Sequence, residues 1–86
     1  MLEDQDLNIR DMEKIIYVQL LGEGTVVYRP VPAIKIKDNL YKIQGREIYD
    51  SYDEEWEFLP QSVVVVQEQE LEGRYVLVAI KEQTDF

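Results

Sequence analysis

The chain has 86 residues, 45% hydrophobic and 31% charged, with 18 acidic against 9 basic side chains and a net charge of −9. That length holds one small domain of globular composition, and the lack of cysteine and histidine excludes disulfides, thiol chemistry, Cys/His zinc sites and Ser-His catalysis. Acid outnumbers base two to one, without the clustered cations that phosphate or anionic lipid demands, so neither nucleic acid nor membrane is an expected partner.

Residues 1–14 are polar and acidic, and Leu2, Leu7, Ile9 and Met12 form no helical stripe. They are expected to be a mobile or weakly helical N-terminal segment. No basic, apolar leader opens the chain, and the longest apolar run, 75–80, is too short to cross a bilayer, so the expected location is the cytoplasm.

Ile15-Ile16-Tyr17-Val18-Gln19-Leu20-Leu21 is the first predicted strand, rich in β-branched and aromatic residues. Gly22-Glu23-Gly24-Thr25 supplies a turn, and Val26-Val27-Tyr28-Arg29 starts a second strand. Pro30 and Pro32 lack a ladder donor and predict an edge, kink or bulge there. The strand resumes at Ile34-Lys35-Ile36-Lys37, and Asp38-Asn39 reads as a two-residue hairpin turn. That turn sets Ile36 opposite Tyr41 and Ile34 opposite Ile43, with the lysines on the other face.

Residues 45–55 form the longest expected loop, rich in acids and tyrosines. Trp56-Glu57-Phe58 reads as a short strand with Trp56 and Phe58 on one face. Pro60-Gln61-Ser62 breaks it. A long strand runs over 63–70, a turn with Gly73 at positive φ follows, and 75–80 is a last strand, apolar on both faces. The expected fold is all-β: a small SH3-like barrel of five or six antiparallel strands over 15–81, with a polar tail at 82–86.

Candidate chemistry is sparse. Ser51, Ser62, Thr25 and Thr84 sit in no nucleophile motif. Asp50, Asp53, Glu54 and Glu55 lack the spacing and central glycine of a calcium loop. No catalytic residue, metal or cofactor is therefore expected. Trp56 and Phe58 read as core anchors. The expected binding surface joins Glu23, Thr25 and Arg29 to Tyr49, Tyr52, Asp53, Glu54, Glu55 and Glu57. Arg29, a lone cation among acids, is expected to pair with Glu54, Glu55 or Glu57.

Glu23-Gly24-Thr25-x-Val27-x-Arg29-Pro30-Val31, followed by Glu54-Glu55-Trp56-Glu57-Phe58-x-Pro60-x-Ser62-x-Val64, resembles a family of small bacterial proteins. There an EGT-x-V-x-RPV stretch precedes EEWEF-x-PGS-x-V. The likeness spans about residues 15–80 and implies no particular activity. This chain departs from it at Gln61, where the pattern has glycine. The expectation is a non-enzymatic protein-binding or accessory module for a protein partner of basic character. The alternative is an acidic inhibitor or immunity-type protein, or a nucleic-acid mimic, that covers a basic site.

Overall fold

A computed structural model describes residues 13–84, and every regular element in it is a β-strand. The strands are β1 (Glu13–Leu21), β2 (Val27–Lys37), β3 (Leu40–Ile43), β4 (Glu55–Trp56), β5 (Val63–Leu71) and β6 (Arg74–Glu82). The reading of 1–12 as a mobile or weakly helical arm lies outside the described residues. Glu13 and Lys14, read with that arm, already belong to β1. Glu82, read as tail, still belongs to β6.

The sheet runs in the order β2-β3-β5-β6-β1-β4, and β2 pairs again with β1, so the ladder closes on itself. The fold is all-β and barrel-like, but it is not wholly antiparallel. β6 meets β1 in parallel, at Tyr17 opposite Val78. Inside lie Ile16, Val18 and Leu20 of β1, Val31 and Ala33 of β2, Tyr41 and Ile43 of β3, Trp56, Val64, Val66 and Ala79. The period-two burial in β1, in the middle of β2 and at the start of β5 follows from side chains alternating across the sheet.

β2 is one continuous strand through both prolines. Tyr17 faces Pro30 and Ile15 faces Pro32 across the β1 ladder. The Gln44 N–H donates to the Pro32 carbonyl at 2.8 Å, so this carbonyl points away from β1. The proline nitrogen points the same way, to the side where β3 has ended after its pairing of Ile43 with Ala33. A missing N–H costs nothing there.

The predicted register of the β2–β3 hairpin is corrected. Lys37 faces Leu40, but Lys35 faces Tyr41, Ile34 faces Lys42 and Ala33 faces Ile43, with a bulge between Lys35 and Lys37. Ile36 is the extra residue and is 45% exposed. Inward parity on β2 is set upstream, by Val31 and Ala33 against the core, and the bulge absorbs the mismatch with the Asp38-Asn39 turn.

The strand read at 56–58 is also shorter than expected. β4 is Glu55–Trp56 alone, pairing with Leu21 and Leu20. The Glu57 N–H still donates to Gln19 O at 2.8 Å. Phe58 lies past the strand and packs half-buried against the core.

β5 and β6 have nine residues each, β3 only four. β3 covers β5 only at Val63, Val64 and Val65. Beyond that, β5 and β6 continue as a two-stranded arm closed by Glu72 (φ 51) and Gly73 (φ 82), a turn with positive φ at both central positions.

Candidate functional site

The predicted surface residues fall into two groups around Trp56. Trp56 is 2% exposed because Leu20 pairs with it at the mouth of the barrel and Gly45 lies against its ring. A Cβ on Gly45 would stand 3.2 Å from Trp56 Cη2. Gly45 has φ +90 and opens the long loop, where its carbonyl accepts from the N–H groups of Ile48 and Tyr49, both at 3.0 Å. That tight turn brings the Tyr49 ring edge-on to Trp56, with centroids 4.9 Å apart and planes at 65°.

Arg29 lies opposite Val18 on β2, on the same parity as Val31 and Ala33. Its side chain therefore turns toward the barrel mouth. The guanidinium carbon stands 5.8 Å from the Trp56 ring centroid, within reach of a cation–π attraction. Arg29 Nη1 lies 3.3 Å from Glu54 Oε1. The same oxygen accepts from Trp56 Nε1 at 3.4 Å. Arg29 Nε is buried and makes no hydrogen bond. Of the three predicted partners of Arg29, Glu54 is the one it meets.

Arg29 and Glu54 side chains are 33% and 32% exposed, so solvent screens the pair and it stabilises by at most about 1 kcal/mol. Its larger consequence is geometric. The ion pair, the indole N–H and the Tyr49 contact fix both ends of the loop to Trp56. Between them, the Asp50 carbonyl accepts from Asp53 and Glu54 N–H groups at 3.0 Å, and Asp50 Oδ1 accepts from Tyr52 N–H at 3.0 Å. This second turn presents Tyr52 fully exposed, at 100%.

The other predicted residues are not drawn into that cluster. Asp53, Glu55 and Glu57 are exposed, as are Glu23 and Thr25 in the turn after β1. Leu21 opposite Glu55 sets that turn and the acidic loop at the same end of the sheet. Among the described residues no group of three acids converges as a metal site would require. No helix among them is long and apolar enough to cross a membrane.

Sequence reasoning missed a second surface, at the β5–β6 arm. One groove of about 420 Å³ is lined by Ile15, Tyr17, Glu68 and Arg74-Tyr75-Val76-Leu77. A larger neighbour, about 750 Å³, runs between Leu71 and Glu72 at the arm tip and Val26, Tyr28 and Pro30. Arg74 Nη2 donates to the Tyr17 hydroxyl at 3.0 Å between them. The signal was strand length. A nine-residue hairpin paired to a four-residue strand has to project.

No family model, curated protein or solved structure matches the chain.

Proposed function

We propose that the protein is a non-enzymatic binding or accessory module of the cytoplasm that presents its acidic loop to a basic protein partner. The observation that carries this reading is the way the loop is held. Arg29, Tyr49 and Glu54 gather on a buried Trp56, while Tyr52 stands wholly in solvent beside Asp53. An exposed aromatic flanked by carboxylates on an anchored loop suits a recognition surface. The aromatic supplies contact area at low entropy cost, and the acids steer a cationic partner. Glu55, Glu57, Glu23 and Thr25 extend the same end of the molecule. The whole chain, at −9, adds a long-range field of the same sign.

The test is affinity capture from the native cytoplasm with the wild-type chain and with the double variant Tyr52→Ala/Glu55→Ala. The variant should lose partners that the wild type retains at low salt, and 0.5 M salt, where screening reaches only about 4 Å, should release them from the wild type. Identical capture by both proteins removes this surface. Both side chains are exposed, so the double variant should keep its denaturation midpoint, which separates lost binding from lost fold.

A further inference from the structure

We infer that the edge of β6 at the arm is a strand-addition site for an extended, basic peptide segment. Alternate side chains of a strand point to opposite faces, yet Arg74, Tyr75, Val76 and Leu77 line one groove consecutively. Four neighbours in sequence can do so when the strand presents its backbone edge to the groove. The pairing agrees. β5 takes one edge of β6 from Arg74 to Glu82, while β1 touches the other edge only at Val78. From Arg74 to Val76 that second edge carries no ladder pairing among the described residues.

The ladder identifies the groups that face outward. Leu71 and Arg74 flank the two-residue turn, so they share the hydrogen bonds of the last rung. By alternation, Arg74 and Val76 bond toward β5, while Tyr75 and Leu77 turn their N–H and carbonyl groups to the other edge, where Leu77 adjoins the β1 bridge and Tyr75 has no ladder partner among the described residues. Val78 shares the parity that bonds toward β5, so its parallel bridge to Tyr17 runs through Leu77 and Ala79 on either side of it and leaves Tyr75 as the outward-facing residue of the arm. An extended segment laid along this edge would pair with Tyr75. Its side chains would meet Ile15, Tyr17 and Leu77, which line the same groove.

Charge selects the occupant. Glu68 and Arg74 line the groove itself, the adjoining β1, β5 and arm turn add Glu13, Glu70 and Glu72 against Lys14, and Arg74 is engaged with Tyr17. A second copy of the chain brings another net −9 to this acidic edge. A segment alternating apolar residues with lysine or arginine brings the opposite sign.

The test uses the full chain, ¹⁵N-labelled, and measures amide exchange by NMR with two peptides, Ac-Lys-Val-Lys-Val-Lys-Val-NH₂ and Ac-Glu-Val-Glu-Val-Glu-Val-NH₂. Without peptide, the Tyr75 amide should exchange at least about tenfold faster than that of Val76, the one outward and the other bonded to β5. The basic peptide should slow Tyr75 by about tenfold and leave Val76 unchanged. Equal protection of Tyr75 and Val76 in the free protein shows the edge to be already paired and overturns the proposal. So does an unchanged Tyr75 with the basic peptide, an equal effect from the acidic one, or protection that follows protein concentration without peptide. Tyr52→Ala/Glu55→Ala should give the same exchange pattern, which keeps this site distinct from the acidic loop.

Discussion

Removing the indole at position 56 tests how the barrel is anchored. Trp56 is 2% exposed and belongs to the main core cluster. Truncating a buried tryptophan to alanine costs about 3–5 kcal/mol. The upper half of that range applies here for two reasons. The backbone at Trp56 is held by its pairing with Leu20, and the neighbour against the ring is Gly45, which has no side chain to move into the space. Losing the Arg29 and Tyr49 contacts to the ring adds to the deficit. A domain of 86 residues has a total stability of roughly 4–13 kcal/mol, so Trp56→Ala removes roughly three tenths of it at least. The assay is urea denaturation followed by far-ultraviolet circular dichroism, because the variant lacks the only tryptophan. Trp56→Phe should fall between wild type and Trp56→Ala. A Trp56→Ala midpoint equal to wild type at unchanged m-value would refute the reasoning and make Trp56 a surface residue.

Three further substitutions probe the backbone. Gly45→Ala puts a Cβ 3.2 Å from Trp56 and 3.3 Å from Ile48 at φ +90; it should cost about 1–3 kcal/mol, seen in the denaturation midpoint and in a shifted Trp56 emission. Gln61→Gly should do the opposite. Gln61 is exposed with φ 79, where a side chain is strained and glycine is not, so a gain of about 0.5–1 kcal/mol is expected, and a lowered midpoint counts against this turn. Ile36→Thr should change stability by less than about 0.5 kcal/mol, since Ile36 is the exposed bulge residue; a loss above 2 kcal/mol would restore the register in which Ile36 faces Tyr41 inside.

The turns were readable because local chemistry sets them. Glycine and Asp-Asn pairs announce their backbone needs within a few residues, and Gly22, Gly24, Gly45 and Gly73 all take positive φ. Gln61 fits the same logic from the other side, since it takes φ 79 without being glycine. Parity across a bulge is not local. Ile34-Lys35-Ile36-Lys37 alternates cleanly, but a repeat of two has no absolute phase. The phase came from Val31 and Ala33, buried inside the proline-marked segment. Two prolines at alternate positions, Pro30 and Pro32, already imply that their nitrogens share one unladdered side, which leaves Val31 and Ala33 for the core. The parallel contact of β6 with β1 had no sequence signal, because a single rung between distant strands leaves no pattern in either.

Arg29 shows why the site and the fold cannot be varied separately. Its position continues the inward series of Val27, Val31 and Ala33, and a cation there has to leave the barrel through its open end. Trp56 and Glu54 wait at that end, one offering a ring face and the other a carboxylate. The loop is thus placed by a residue whose parity belongs to the core. Arg29→Ala would remove apolar cover from Trp56 along with the ion pair, so a lost interaction in that variant says nothing about which surface a partner touches. Tyr52 and Glu55 are free of this coupling. Tyr52 is fully exposed and Glu55 lies outside the core cluster, and changes at independent, exposed sites add without disturbing the fold. The proposed recognition surface is therefore to be tested at Tyr52 and Glu55, and loop placement at Arg29 and Glu54.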